Sequence, residues 1–395
     1  MRKRYRERLR NTTAKAIIGQ AAAHGHCKWT NTCMLPAKCV LLQCLSSQCF
    51  AMKFEAVTIK DIAKALGFST STVSRALRDS YEISEETKAL IMETAEKLNY
   101  KPNPIALGLK ERRTRTLGVI VCEVANPFFS QVINGIQNIA NSRGYNIIIT
   151  QSHESYEQEV DALHLLSSRS VDGMLISLST ETNDMAHFKE MAAKGLPIVF
   201  FDRVVSDLNT HAIVLDNFKG AYDLTEHLIK QGFKRIAALA SSEYLSITTE
   251  RVAGYQEAMQ AYGLDKYADM VQYCFYSGMD FTEVEDAMNK LLSTRSKPEA
   301  IVCLSDKLTT GSMRTLKRRG LKVPDDIALC GFLNTDLAEL FDPPLTVVRQ
   351  PAYDIGKGAV ELLLHLVESK RPVTQFERRV LAPELIVRQS TLKKG

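Results

Sequence analysis

Short apolar runs alternate with helix-like segments over most of this chain, and this alternation restricts the possible folds more than any other feature. The runs are rich in Val, Ile, Leu and Ala and lie at 117–121, 146–150, 173–177, 197–201, 212–215, 235–240, 300–304 and 327–332. Such alternation is typical of parallel β-sheets covered by helices. The runs form two comparable sets separated near Asp216. We therefore predict two Rossmann-like α/β lobes with a cleft between them.

The segment before this body predicts three short helices instead. Four apolar residues share one face of the first helix: Ile59, Ile62, Ala63 and Leu66. Gly67 then supplies a tight turn, Ser69 is suited to cap a second helix that runs through residue 77, and a third helix follows over 84–98. This arrangement is typical of a helix-turn-helix, whose second helix enters the DNA major groove. The spacing alone also fits an ordinary three-helix bundle with a solvated polar face.

The outward face of the second helix carries side chains suited to operator DNA. Ser71 and Arg75 lie one turn apart, and we expect both, together with Thr70, to reach base edges. Arg is the side chain best shaped to hold guanine O6 and N7 with two hydrogen bonds. Three short hydroxyl side chains are better placed for phosphate oxygens: Ser69, Thr72 and Ser74.

Charge is distributed unevenly along the chain. Residues 1–51 hold nine Lys/Arg against one acid, residues 52–115 hold 12 basic against nine acidic side chains, and the remainder holds 29 against 35. An acidic body behind a mildly basic head suits a protein that touches phosphate at one end only. No apolar run approaches the roughly 20 residues of a membrane helix, so we expect a soluble cytoplasmic protein without a membrane partner.

Five of the nine cysteines lie in the first 51 residues, without a C-x-x-C pair. A zinc site that also borrows His24 and His26 is therefore weakly indicated, and we expect no metal. Recurring Arg and Lys, with no convincing cleavage site, argue against a secretory signal. We interpret residues 1–51 as a disordered leader, or as sequence upstream of a true start at Met52. The other cysteines read as small core residues in a reducing compartment: Cys122, Cys274, Cys303 and Cys330.

Three motifs of the head resemble the lactose and galactose repressor family: Thr58-Ile59-Lys60-Asp61-Ile62-Ala63, Gly67-Phe68-Ser69 and Thr72-Val73-Ser74-Arg75-Ala76-Leu77. Residues 98–110 resemble the family's hinge, which folds into a short helix on operator DNA. The resemblance implies that Leu109 is an apolar wedge that opens a central base step from the minor groove. Leu107 and Gly108 depart from the commoner Arg-Ser, which removes minor-groove Arg contacts and weakens the isolated helix by ~1 kcal/mol relative to Ala. A plain linker role for Leu109 stays open.

The resemblance covers the chain as far as residue 389 and implies a body built like the periplasmic sugar-binding proteins, with a hinge crossed near residues 216, 349 and 375. It also implies an effector site between the lobes, with an aromatic wall and hydrogen-bonding groups: Asn126, Phe128, Phe129, Asp202, Arg251 and Asp306. Rings paired with a few charged groups suit sugars or nucleobases. Core packing of the two Phe and solvated caps for the two Asp are the alternatives. Leu333 stands where many family members carry a ligand-gripping Asp, so no named sugar is assigned.

Together these features predict an all-α helix-turn-helix head (52–101), a hinge helix and linker (102–115), and an α/β periplasmic-binding-protein-like body. We expect one lobe from 116–216 with 350–374 and the other from 217–349 with 375–395. The predicted function is a sequence-specific transcription regulator, with repression favoured, that acts as a homodimer or a tetramer and is controlled by a small-molecule effector. A ligand-binding protein without DNA function is the alternative. Common enzyme motifs such as G-x-S-x-G and H-E-x-x-H do not occur, and no cofactor is expected.

Overall fold

The computed structural model describes residues 57–101, 113–204 and 208–393. Contacts divide the chain into two compact units, residues 1–101 and 102–395. The described part of the first unit contains three helices: α1 (Ile59–Leu66), α2 (Thr70–Ala76) and α3 (Glu85–Lys97). Ile62, Val73 and Ile91 are fully buried between them, one from each helix. The apolar faces expected from sequence therefore meet in a single small core.

Local capping sets the ends of the first two helices. The N–H and hydroxyl of Thr58 donate to a carboxylate oxygen of Asp61 at 2.8 and 2.7 Å, which fixes the start of α1. Gly67 ends α1 with a φ of 71°, a left-handed conformation that strains other residues. Ser69 then begins α2 by accepting a hydrogen bond from the N–H of Thr72 at 3.1 Å.

The first lobe of the second unit is a six-stranded sheet with helices on both faces. Its elements are β1 (Thr116–Val121), α4 (Pro127–Ser142), β2 (Asn146–Gln151), α5 (Tyr156–Ser168), β3 (Gly173–Ile176), α6 (Ala186–Ala193), β4 (Ile198–Phe201), β5 (Ala212–Leu215), α11 (Ala352–Glu368) and β11 (Arg378–Leu381). The strand order is β11-β5-β4-β3-β1-β2, and every pairing is parallel. Val119 and Ile120 of β1 face separate apolar cores, one on each side of the sheet.

The second lobe repeats this plan. Its elements are α7 (Asn217–Lys230), β6 (Ile236–Ala240), α8 (Ser246–Ala261), β7 (Val271–Tyr273), α9 (Phe281–Ser293), β8 (Ala300–Cys303), α10 (Asp306–Arg318), β9 (Ala328–Phe332), β10 (Thr346–Arg349) and β12 (Glu384–Ile386), with 3-10 turns at Asp265–Tyr267, Asp336–Glu339 and Gln389–Thr391. The strand order is β12-β10-β9-β8-β6-β7. Only the pairing of β12 with β10 is antiparallel among the described strands.

The chain passes between the lobes three times: between β5 and α7, between β10 and α11, and between β11 and β12. The third passage lies at residues 382–383, and the expected boundary near residue 375 was wrong. Arg378–Leu381 pairs in parallel with Ala212–Leu215 and so belongs to the first lobe. Only Glu384–Ile386 and the residues after it join the second lobe, because β12 pairs with β10.

No helix among the described residues is both long enough and apolar enough to cross a membrane. The same part of the chain holds no group of three or more His, Cys, Asp or Glu side chains arranged to bind a metal ion. The leader cysteines and residues 102–112 of the expected hinge and linker, including Leu109, lie outside the described residues.

Candidate functional site

Helix α2 presents a polar row to solvent. Thr70, Ser71 and Arg75 are exposed, whereas Val73 and Ala76 on the opposite side are buried in the head core. The three side chains expected to reach base edges therefore lie on the outward side of the helix. They are available to a groove of the right width.

The hydroxyls at the start of α2 are linked to one another. The Oγ of Ser69 lies 2.7 Å from the Oγ of Ser71 and 2.8 Å from the Oγ1 of Thr72. These short contacts orient the three side chains around the first turn of the helix. Such a cluster at a helix N-terminus is suited to hydrogen bonding with phosphate oxygens.

Two charged residues that the sequence analysis did not select lie against this row. Glu82 pairs with Arg75, with 2.8 Å between Nη1 and Oε2, and both side chains are about half exposed, at 45% and 57%. Arg78 donates from Nε to the backbone oxygen of Ser74 at 2.9 Å, and its guanidinium also contacts the Ser74 hydroxyl. To contact a base edge, Arg75 must therefore release the carboxylate of Glu82. The Ser74 hydroxyl is already in contact with Arg78.

The six residues expected to bind an effector line a single cavity between the two lobes of the body. The other lining residues are Glu123, Glu154, Arg203, Ser241, Ile247, Ser277, Met279, Ser305, Lys307 and Gln350. The space they enclose is about 60 Å³, enough for only a few water molecules. A drug-sized ligand occupies a pocket of roughly 300 Å³ or more, so the lobes must separate to admit one.

Arg251 is the buried cation of this cavity. It lies in the second turn of α8, and only 3% of it is exposed. Its guanidinium donates to Asn217 Oδ1 at 2.8 Å, to the Leu304 carbonyl at 2.7 Å and to Gln350 Oε1 at 3.1 Å. All three acceptors are neutral, and burial lowers the pKa of Arg251 to about 10. Its remaining N–H donors can serve a ligand.

Asp202 and Asp306 place two buried carboxyl groups in the same cavity. They are 6% and 8% exposed, which excludes the alternative of solvated caps. Burial raises the pKa of both groups, and that of Asp306 reaches about 6 although its Oδ1 accepts the N–H of Asn334 at 2.9 Å. Carboxylates held at this cost are more typical of binding sites than of structural ones.

Phe128, Phe129 and Asn126 have structural roles as well as positions in the cavity wall. The two rings are each 3% exposed, meet edge to face with centroids 5.2 Å apart, and belong to the core of the first lobe. The Oδ1 of Asn126 caps α4 by accepting the N–H of Phe128 at 2.9 Å. The two rings thus pack in the core of the first lobe and also line the cavity.

A buried ion pair completes the first-lobe side of the cavity. Arg203 Nη1 and Nη2 donate to the two carboxylate oxygens of Glu154 at 2.6 and 3.0 Å. Burial opposes ionisation of Glu154, but Arg203 and Thr180 outweigh it and hold the pKa of Glu154 below its usual value. The Nε of Arg203 and the Oγ of Ser305 are buried without a hydrogen-bond partner among the described residues. Both atoms can bind a polar ligand.

Comparison with known proteins decides the family. A model of bacterial regulatory proteins of the lacI family matches residues 58–103, which include all three helices of the head. A model of periplasmic binding proteins and the sugar-binding domain of the LacI family matches residues 114–383, which span both lobes. This chain belongs to the LacI family.

Curated relatives agree over nearly their whole length. The HTH-type transcriptional repressor PurR of Vibrio campbellii is 34% identical over 341 residues, which cover 85% of this chain and 99% of that protein. The HTH-type transcriptional repressor CytR of Escherichia coli K12 is 34% identical over 339 residues, which cover 85% and 96%. The LacI-family chain is thus a DNA-binding transcription regulator, and the alternative of a ligand-binding protein without DNA function is disfavoured.

Two solved structures show the same architecture. The lac repressor dimer bound to operator and the anti-inducer ONPF aligns with a TM-score of 0.74 at 25% identity, covering 86% of this chain and 100% of that one. The transcriptional regulator CelR in complex with cellobiose aligns with a TM-score of 0.64 at 28% identity, covering 85% and 99%. The predicted fold class, a helix-turn-helix head before a two-lobed α/β body, is confirmed.

Leu333 of this LacI-family chain does not reach the cavity. It is 1% exposed and packs in the core of the second lobe, while its N–H donates to the Val348 carbonyl at 3.1 Å. The polar contacts at this point are made by its neighbour Asn334. The side-chain Nδ2 of Asn334 donates to the Gln350 carbonyl at 2.8 Å, and the backbone carbonyl of Asn334 accepts from Gln131 Nε2 at 2.7 Å. Leu333 is thus an apolar core residue at the position where the family resemblance implies a ligand-gripping Asp.

Proposed function

We propose that this LacI-family regulator is a homodimer that binds double-stranded operator DNA through α2 and represses transcription. In this proposal a small neutral polyhydroxylated ligand, such as a sugar, binds between the lobes and controls operator affinity. The protein acts in the cytoplasm and needs no cofactor, metal or catalysed reaction. One observation carries the proposal: a single chain joins an exposed polar helix row to a buried polar cleft.

The α2 row supports DNA recognition by chemistry as well as by position. Arg75 can make a bidentate contact with guanine, while Thr70 and Ser71 have hydroxyls that accept or donate to any base edge. Ser69 and Thr72 lie at the helix N-terminus, where partial positive charge favours phosphate, and Ser74 lies further along α2. Arg78 adds an exposed cation next to Ser74. We propose that these residues divide into base-reading and phosphate-binding groups, with Leu109 as the minor-groove wedge.

The cleft chemistry supports a neutral ligand with several hydroxyls. Four acids line the cavity against three cations, so an anionic ligand would meet an excess of negative charge: Glu123, Glu154, Asp202 and Asp306 against Arg203, Arg251 and Lys307. A hydroxyl group both donates and accepts, which suits carboxylates beside guanidinium N–H groups. The edge-to-face Phe128 and Phe129 offer an apolar wall to the C–H face of a sugar ring.

Effector control follows from lobe closure. A ligand that bridges Asp202 of the first lobe and Arg251 of the second stabilises the closed arrangement relative to the open one. The ligand can shift operator affinity only through this differential affinity for the two arrangements. Whether the ligand raises or lowers operator affinity then depends on which lobe arrangement, closed or open, spaces the two heads of the dimer to match an operator.

The head proposal is tested by Arg75→Ala in the full-length protein. Operator sequences are first selected from a random duplex pool, and affinities are then measured on selected and random DNA. We expect the substitution to cost about 1–3 kcal/mol on the operator, and to relax the preference at one base pair in each half-site.

Lys97→Ala is the matched control, because Lys97 is an exposed cation of α3 that pairs with Glu93 at 2.7 Å. It should lower both affinities slightly and equally. An equal loss for Arg75→Ala on the two DNAs would show that Arg75 contacts only phosphate. A wild-type protein that enriches no sequence would refute the operator proposal itself.

A further inference from the structure

Three exposed aromatic side chains lie on the second lobe beside the cleft, and the effector site described above does not use them. Tyr244 is 72% exposed, Phe275 51% and Tyr276 59%. Tyr244 follows β6, while Phe275 and Tyr276 follow β7, and these two strands are neighbours in the parallel sheet. The rings therefore lie beyond the carboxyl ends of the strands, where open α/β sheets bind ligands. We refer to these three residues as the rim aromatics.

The rim aromatics are held in place and face outward. Tyr244 and Phe275 meet edge to face at 6.0 Å, and Phe275 and Tyr276 do so at 5.9 Å. The carboxylate of Glu283, on α9, accepts the backbone N–H groups of both Phe275 and Tyr276. These bonds hold the backbone of the loop that carries Phe275 and Tyr276, and the faces of the three rings remain largely in water. Covering such a patch with a ligand is favourable.

The loops that carry the rim aromatics also form part of the cleft wall. Ser241, on the loop of Tyr244, lines the cavity, as do Ser277 and Met279 on the loop of Tyr276. The Oγ of Ser277 lies 3.4 Å from the Oγ1 of Thr180, which belongs to the first lobe. The aromatic patch is thus continuous with the proposed effector site, and a ligand longer than the cleft would extend over it.

The composition of these loops narrows the class of ligand. Residues 241–246 and 274–283 contain three acids, Glu243, Asp280 and Glu283, and no Lys or Arg. The loops themselves therefore offer no cation to a phosphorylated or carboxylated ligand. Tyrosine combines an apolar ring with a hydroxyl, a surface that suits the C–H face and hydroxyl edge of a sugar.

We propose that the rim aromatics form an outer subsite for a second sugar ring, so that the effector is a neutral di- or oligosaccharide whose first unit occupies the cleft. This inference rests on the proposed effector site and names its ligand more closely. The same patch could instead be covered by a second copy of this chain or by another protein. Sedimentation velocity distinguishes a protein interface of this kind from a sugar subsite.

The test compares ligand length in wild type and in Tyr276→Ala by isothermal titration calorimetry. The probes are glucose, galactose, mannose, xylose and arabinose, each with its commercially available di- and trisaccharides. We expect at least one disaccharide to bind at least ten-fold more tightly than its monosaccharide. Tyr276→Ala should remove that advantage to within about two-fold while leaving monosaccharide binding unchanged.

Tyr262→Ala is the matched control, since Tyr262 is 42% exposed on the same lobe but bonds Glu226 through its hydroxyl instead of facing the cleft loops. It should leave every affinity unchanged. Binding confined to monosaccharides, binding to no probe, or an unaltered length dependence in Tyr276→Ala would overturn the outer subsite. A shift in sedimentation velocity with Tyr276→Ala would identify a protein interface and also overturn it. Operator selection on the same samples reports separately on the proposed regulator function.

Discussion

The buried charges of the cleft are set residue by residue. Asp306 is buried in the cleft, where Arg251 and Asp202 are its charged neighbours, and burial raises its pKa from 3.8 to about 6. A carboxyl group with a raised pKa binds its proton more tightly in the folded than in the unfolded protein. Its ionisation therefore costs stability as the pH rises from about 4 to about 6, and the full cost remains at neutral pH. A group retained at that cost is best explained by ligand binding.

Asp306→Asn is expected to stabilise the protein at pH 7.5 by about 1–2 kcal/mol, because it removes a buried charge and keeps the Oδ1 that accepts the Asn334 N–H. The gain should vanish at pH 4, where the wild-type group is protonated. Urea unfolding at the two pH values measures it, and ligand titration should show loss of effector binding. The exposed Asp265 provides the control Asp265→Asn, and an equal gain at both pH values for Asp306→Asn would contradict the argument.

Among the elements, helix pairs are packed through glycine contacts in both lobes. A Cβ on Gly135 of α4 would lie 2.2 Å from the Tyr353 carbonyl oxygen of α11, and one on Gly356 would lie 2.0 Å from that of Val132. In the second lobe, a Cβ on Gly254 of α8 would lie 2.2 Å from the Phe218 carbonyl oxygen of α7. The helix backbones approach so closely that no side chain fits between them.

Gly135→Ala should therefore destabilise the protein by about 1–3 kcal/mol, even though Ala is the better helix former. Thermal unfolding of the full chain measures this loss. The control is Asn134→Ala, at the adjacent exposed position of the same helix, which we expect to change stability by less than about 0.5 kcal/mol. A neutral or stabilising Gly135→Ala would mean that α4 and α11 can move apart without cost.

At the scale of the whole body, several polar contacts join the lobes, and two of them lie at the cleft. Lys307 on α10 pairs with Glu123 after β1, with 2.7 Å between Nζ and Oε2, and Gln131 on α4 bonds Asn334 after β9. The ion pair is partly exposed, with side chains 32% and 19% accessible, so its contribution is modest and decreases with salt. Contacts of this strength hold the lobes together while allowing a ligand to change their balance.

Glu123→Gln is expected to shift the ratio of closed to open lobes by up to about five-fold toward the open form at low salt. Small-angle X-ray scattering should show a larger radius of gyration than wild type, and the difference should disappear in 1 M salt. Glu190→Gln breaks a comparable pair with Lys194 inside one helix of the first lobe and serves as the control. A radius unchanged at low salt would show that the Glu123–Lys307 pair does not hold the cleft.

The sequence alone predicted the helices and strands that are determined by local capping residues or by the periodicity of apolar residues. Each of the eight apolar runs contains a strand, because strands buried on both faces of a parallel sheet must be apolar throughout. Four shorter strands were not predicted, namely β7, β10, β11 and β12. They have only three or four residues, and each of them carries a charged or half-exposed side chain. Their assignment depends on their partners, which explains the misplaced boundary near residue 375.

Two local features were enough to select the α2 row and six residues of one cavity. These features are the residue type and the position of each residue after a strand or on one face of a helix. The sequence did not reveal which charges meet. Glu82 is seven positions from Arg75, and Glu154 lies far along the chain from Arg203, so neither pair has a local signal. Local sequence determines which face of an element is polar, because side-chain direction repeats with the backbone. Tertiary structure decides which polar groups become partners, because folding brings distant carboxylates and guanidinium groups together and removes the water between them.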